Sequence, residues 1–306
     1  MSCVKPSIYD QRDARFRALI HPNAQLQQIG QGFEWAEGPA WFPAAQMLLF
    51  SDIPAHRMIR WTAQTGCSIF REDSGYSNGN TRDPQGRLLT CHHGLRAVTR
   101  TEADGSLTTL ASHADGKRLN SPNDVVVKSD GSVWFSDPTY GILSDLEGYK
   151  ADPEQPGSHV WRIPPEGGAA VAVCRDFAQP NGLCFSPDER LLYIAESGAS
   201  HDAAVPPVIR VYDVTGEGLA NGREFARIDA GLPDGIRCDG NGNLWSSAAD
   251  GVHVFAPDGT LLGKILVPEV VANLCFGGPR GNRLFITATS SLYMLAVDAC
   301  AAGWPG

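Results

Sequence analysis

Short apolar runs broken by Pro, Asp, Gly and Asn recur along the whole chain. They appear as "EGPAWFPAAQMLLFSD" from Glu37, "NGNTRDPQGRLLTC" from Asn78, "NDVVVKSDGSVWFSD" from Asn123, "NGLCFSPDERLLYIAES" from Asn181, "DGIRCDGNGNLWSSA" from Asp234 and "NLCFGGPRGNRLFITA" from Asn273. Each begins on an Asn, Asp or Glu, passes through a short apolar strand, turns, and continues into a second strand with aromatic or β-branched residues. Six such units, 39 to 58 residues apart, match blades of about four strands each and predict an all-β fold, a six-bladed β-propeller. Outer strands stand out at "VIRVYDV" (208–214) and in a hairpin around Asp258-Gly259 (251–267). Helical periodicity is almost absent, against a βαβ architecture.

Only 33 residues follow Asn273, fewer than a full blade needs. A strand near "AQLQQIG", before Glu37, is therefore expected to complete the last blade and close the ring. Residues 7–20 carry helix-like content. The expected division is a partly helical N-terminal arm over 1–24 and the propeller over 25–306.

Composition narrows the function classes. Of 306 residues 42% are hydrophobic and only 19% charged, and the net charge is −9. No basic run could track a phosphate backbone, so nucleic acid is not expected as a partner. The eight cysteines show no C-x-x-C spacing, and Cys184 and Cys275 sit inside apolar runs, as reduced core residues do. No apolar stretch suits a secretory signal or a membrane span, which makes a soluble cytoplasmic protein without a membrane partner the expectation.

Each repeat holds two polar stations at opposite ends of a strand. The second is a hairpin turn, where Asn, Asp and Gly supply the dihedrals. One such turn, Asp239 to Asn243, imitates a calcium loop, but Leu244 stands where that loop needs Gly and Asp250 where it wants Glu. The first station carries Glu37, Asn78, Asn123, Asn181, Asp234 and Asn273. If its strand is innermost, these side chains converge on one mouth of the central channel. A ring of carboxylate and amide oxygens without His or Cys suits a hard cation such as Ca²⁺, Mg²⁺ or Mn²⁺.

"GYSNG" at 75–79 fits the serine-hydrolase pattern G-x-S-x-G, which requires a strand before it and a helix after it. Here a turn (Asp83, Pro84, Gly86) and a strand-like run follow, so Asn78 rather than Ser77 is the residue of interest. Of His92 and His93, neighbours in a strand, at most one can face the channel; His93 is the candidate substrate contact. Tyr140 lies near the start of a Pro/Gly-rich loop, roughly 138–158, that either covers the mouth or is ordinary surface. Trp41, Trp134, Trp161 and Trp245 are expected to pack between strands.

The set "EGPAW", "SPNDVVV", "PNGLCFSPD" and "LPDGIRCDGNGNLW" resembles the SMP-30/gluconolactonase/LRE-like family, from about residue 30 onward. The resemblance implies a lactone hydrolase with one divalent cation, usually Ca²⁺, with Mg²⁺, Mn²⁺ or Zn²⁺ as alternatives. It implies Glu37, Asn123, Asn181 and Asp234 as metal ligands, and Asp234 as general base. Some family members hold substrate hydroxyls with an Arg two residues before the third-blade Asn. Here that position is Ser121, leaving Arg118 or Asn120 as substitutes, beside Asn78, His93, Tyr140 and Asn273 as further candidate substrate contacts.

The leading expectation is metal-dependent hydrolysis of a small-molecule sugar lactone to the aldonic acid, by a monomer or homodimer. Hydrolysis of organophosphate or other esters, and a non-enzymatic interaction scaffold, are the alternatives.

Overall fold

The computed structural model describes residues 7–216 and 218–303. Six antiparallel sheets form the blades of a β-propeller. The first strand of each repeat is the innermost of its blade: Ala36–Phe42, Ser77–Arg82, Val125–Val127, Pro180–Phe185, Ile236–Cys238 and Val271–Gly277. Each of these strands touches its counterpart in the next blade, and the sixth returns to the first.

The ring closes with a strand from early in the chain. Gln27–Gln31 pairs antiparallel with Ser291–Ala296 and is the outermost strand of the sixth blade. The preceding segment is docked on the propeller rather than free of it. Tyr9–Gln11 adds a fifth strand to blade five, against Leu261–Leu266, and a 3₁₀ turn over Ala14–Ala18 seats a fully buried Phe16 in the core between blades five and six. Burial of a phenylalanine contributes about 1.5–3 kcal/mol, ample to hold so short a segment. Residues 1–6 of the expected arm and 304–306 of the expected propeller domain lie outside the described residues.

The core lies between blades. Trp134, Trp161 and Trp245 are almost wholly buried, and Trp41 stacks on Phe285 with ring centroids 5.2 Å apart. The hairpin turns satisfy themselves. In the loop that imitates a calcium site, the Asp239 carboxylate accepts from the backbone N–H of Asn241 and Asn243, from Asn243 Nδ2 and from Trp245 Nε1, so it is an Asx-type turn. The seven described cysteines are unpaired, and five of them are buried.

Candidate functional site

The first polar station sits where each inner strand begins, and its geometry depends on the residue that follows. In four blades that residue is glycine, and the absent side chain leaves room for the neighbouring blade. A Cβ on Gly38 would lie 2.1 Å from the Asn78 carbonyl oxygen, and one on Gly79 2.4 Å from that of Asn123. On Gly182 it would lie 2.1 Å from the Asp234 carbonyl, and on Gly235 2.0 Å from Asn273 Cγ. Backbone hydrogen bonds stitch the same contacts, from Gly79 N–H to Asn123 O (2.8 Å) and from Gly182 N–H to Asp234 O (3.2 Å). The inner strands thus approach closely enough for their leading side chains to share one space.

That space is a cavity of about 320 Å³ lined by Glu37, Asn78, Asn123, Asn181 and Asp234. Tyr140 and Glu147 border it from the 138–158 loop, and Trp35, Ile53 and Val271 supply apolar wall. The loop does line the mouth. It is held down at Gly141, where a Cβ would meet His93 Cβ at 2.3 Å, and by a hydrogen bond from Gly141 N–H to Ser121 Oγ at 3.0 Å.

The other expected site residues fall behind this wall or away from it. Asn273 donates its Nδ2 to Glu37 Oε2 at 2.9 Å. His93 is fully enclosed between the ring and the loop: its Nδ1–H donates to the Glu147 carbonyl (3.1 Å), which leaves Nε2 to accept from Asn78 Nδ2 (3.0 Å). Asn120 and Arg118 are not brought to the cavity. Asn120 is tied into a loop whose backbone N–H groups, with those of Ser121, converge on the buried Asp137 carboxylate, and its Nδ2 caps the carbonyls of Asp137 and Gly157. Arg118 sits in the small hairpin His113–Ala114/Lys117–Arg118 and donates to the Leu95 carbonyl. Ser77 is buried outside the cavity.

Three groups at the site were not singled out from sequence. Glu147 comes from the loop. Asp124, directly after Asn123, is 1% exposed and receives Arg237 Nη1 at 3.3 Å across the channel. Arg237 also lines a second cavity of about 240 Å³, at the other end of the inner strands, with Arg82, Cys184, Cys238 and Cys275.

The electrostatics follow from burial. Glu37 is 4% exposed and its carboxyl is pushed up, first by loss of water and then by Asp124, against hydrogen bonds from Asn273 and the Gly38 N–H that lower it. Asp234 is raised well above the usual range by the same loss of water and then by Glu37, Asp124 and Glu147, with an Asn181 hydrogen bond opposing. A buried Glu37 and an Asp234 whose carboxyl it raises, facing one cavity, ask for a cation between them. Asn78 Oδ1 is buried without a hydrogen-bond partner and is free to accept from a ligand's hydroxyl. Carboxylate and amide oxygens with no thiolate or imidazole facing the cavity form a donor set that fits a hard divalent ion. By contrast the cluster Asp229, Asp250 and His253 elsewhere on blade five is already neutralised, because Lys264 Nζ lies 2.5 Å from Asp229 and 2.9 Å from Asp250.

Comparison with known proteins agrees with this architecture. Residues 35–290 match the family model described as SMP-30/Gluconolactonase/LRE-like region. A gluconolactonase of Zymomonas mobilis subsp. mobilis is 34% identical over 91% of this chain and 83% of its own length. The solved structure of a gluconolactonase from Xanthomonas campestris is 37% identical, with a TM-score of 0.89 over 96% of this chain and 99% of that one. The crystal structure of regucalcin from Agrobacterium tumefaciens, described as a calcium-binding protein, shares the fold at 17% identity, with a TM-score of 0.71 over 90% of this chain and 95% of that one.

Proposed function

The chain belongs to the SMP-30/gluconolactonase/LRE-like family, and from that premise we propose that it is a lactone hydrolase that opens a sugar lactone to its aldonic acid with a divalent cation, Ca²⁺ foremost. The observation that carries the reading is the meeting of Glu37, Asn123, Asn181 and Asp234 on one cavity. Its volume of about 320 Å³ lies at the small end of ligand sites, about 300–1,000 Å³, as a single sugar ring requires.

Glu37, Asn123, Asn181 and Asp234 would hold the ion. Both hydrogen bonds to Glu37 fall on Oε2, from Gly38 and Asn273, which fixes the carboxylate plane. The ion would supply Lewis-acid polarisation of the lactone carbonyl, worth several kcal/mol as charge develops there.

Asp234 is the general base. Its partial exposure to the cavity admits water. It takes the proton of the water that attacks the carbonyl carbon and returns it to the ring oxygen as the ester bond breaks, so no net proton is held at the end of the cycle. A positioned base of this kind contributes about 10² to 10⁴ in rate. Asn181 keeps the carboxylate aligned, and Asn78 Oδ1 and Glu147 accept sugar hydroxyls. Trp35 and Ile53 cover an apolar ring face.

The test is to strip the protein with a chelator, confirm by circular dichroism that it stays folded, and follow hydrolysis of a lactone panel as Ca²⁺, Mg²⁺, Mn²⁺ or Zn²⁺ is restored. Turnover should vanish and return with the ion. Turnover indifferent to the chelator, or absent with every lactone and ion, overturns the reading.

A further inference from the structure

The cavity has two unlike halves. Asn78, Tyr140, Glu147, Ser197 and Ser200 line it with hydrogen-bonding groups, and they come from blades two and four and from the 138–158 loop. Across the ring, blades five and six contribute Leu232, Ala249, Val270 and Val271. Among the described residues, Asp234 is the only polar side chain that lines this second half. The backbone there is already paired: the Ala249 N–H donates to the Ala230 carbonyl at 2.9 Å, and the Val270 carbonyl accepts from the Thr289 N–H at 3.1 Å and from Thr289 Oγ1 at 3.2 Å. Val270 is nonetheless 45% exposed. An apolar side chain that the fold does not bury is thus held open at the mouth.

A lactone presents two unlike flanks to such a cavity. In the reaction assigned above, Asp234 serves both the carbonyl carbon and the ring oxygen, so the ester edge of the ring faces it. On one flank of that edge the carbon beside the carbonyl carries a hydroxyl. On the other, the carbon bonded to the ring oxygen carries the exocyclic substituent. With the hydroxyl flank turned toward Asn78 and Glu147, the substituent falls to blades five and six, where Leu232 stands two residues before Asp234. We infer that the substrate is a deoxy-sugar lactone, with a methyl group in place of a hydroxymethyl on the carbon that bears the ring oxygen. A methyl group seats on Leu232, Val270 and Val271 and leaves nothing unsatisfied, whereas a hydroxymethyl gives up its hydrogen bonds to water and finds no partner. An apolar pocket disfavours an added hydroxyl by up to about 100-fold.

The inference deepens the lactonase reading and rests on it, and the measurement separates the two. On the full chain with the cation restored, kcat/KM is compared for D-glucono-1,5-lactone and its 6-deoxy and 2-deoxy counterparts, with initial rates corrected for uncatalysed opening. The 6-deoxy lactone is expected to exceed the parent by about 10- to 100-fold. The 2-deoxy lactone, which lacks a hydroxyl on the polar flank, should fall below the parent by about tenfold. Val270→Asn, checked for folding by circular dichroism, places a hydrogen-bonding group on the apolar half and should narrow the preference for the 6-deoxy lactone by about tenfold; Leu232→Asn should do the same from blade five. Absence of turnover with all three lactones overturns the lactonase reading and this inference together. Turnover in which the parent matches or exceeds its 6-deoxy counterpart, or a preference that neither variant alters, overturns this inference alone.

Discussion

Asn78 presents its amide nitrogen to His93 Nε2 at 3.0 Å, and that contact decides which way its carbonyl oxygen faces. Because His93 Nδ1 is committed to the Glu147 carbonyl, a flipped Asn78 would set two lone pairs against each other. Its Oδ1 is accordingly left without a protein partner on the cavity wall. Asn78→Ala is expected to raise KM about tenfold, the scale of one hydrogen bond to substrate, with Ca²⁺ affinity unchanged. Steady-state kinetics with calorimetry checks this; an unchanged KM sinks the assignment.

The same histidine has a signature in stability. Burial holds His93 down to about 4, opposed only by its hydrogen bond to Glu147. The unfolded chain takes up a proton below about 6.5 that the folded state refuses. Folding stability is therefore complete above about pH 6.5 and falls as pH drops toward 4. In His93→Gln the slope over that window should be shallower by up to about 1.4 kcal/mol per pH unit, one proton's worth. Urea melts at half-unit steps of pH measure it, and parallel slopes for the two proteins would contradict the buried neutral imidazole.

Asp234→Asn keeps the shape of the side chain and removes its charge. Turnover should fall by about 10²- to 10⁴-fold, while the chelated variant melts higher than the chelated wild type. The reason is that a carboxylate raised by burial and by Glu37, Asp124 and Glu147 opposes folding when no cation is present. Near wild-type turnover, or a lower melting temperature without metal, would each count against the role given to Asp234.

Gly182 offers a purely steric test. An added methyl would lie 2.1 Å from the Asp234 carbonyl oxygen and 2.9 Å from Gly235 Cα, and backbone cannot move aside as a side-chain tip would. Gly182→Ala is expected to cost about 1–3 kcal/mol of stability and to lower turnover as well, since the strand start that carries Asp234 must shift. Denaturant unfolding and kinetics on the same preparation decide it; a neutral effect on both would refute the tight approach.

Much of this arrangement was legible in the sequence because a propeller repeats one local rule. An Asn, Asp or Glu ahead of a short apolar run marks the start of an inner strand, and five of the six residues so marked line one cavity. The sixth, Asn273, supports Glu37 from behind. What local pattern could not supply was pairing between distant blades. Asp124 and Arg237 are 113 residues apart and each looks ordinary within its own repeat. The nearest clue was that blade three carries Asn-Asp where four others carry a ring residue followed by Gly. Glu147 was hidden for another reason: it belongs to a loop with no periodicity, placed by the fit of Gly141 against His93 and of Gly148 against Gly141. Arg118 and Asn120, offered in place of an absent arginine, serve the loop architecture, Asn120 through Asp137 and Arg118 through its own hairpin.

The pairing of Gln27–Gln31 with Ser291–Ala296 has a consequence for how the molecule is made on the ribosome. The stave that seals the circle precedes the first blade in the chain, and its companion is translated only after five blades have been made. Until then the blades form an open fan, and Glu37 and Asn273 cannot meet. Assembly of the complete set of ring oxygens thus needs a chain in which all six blades are present.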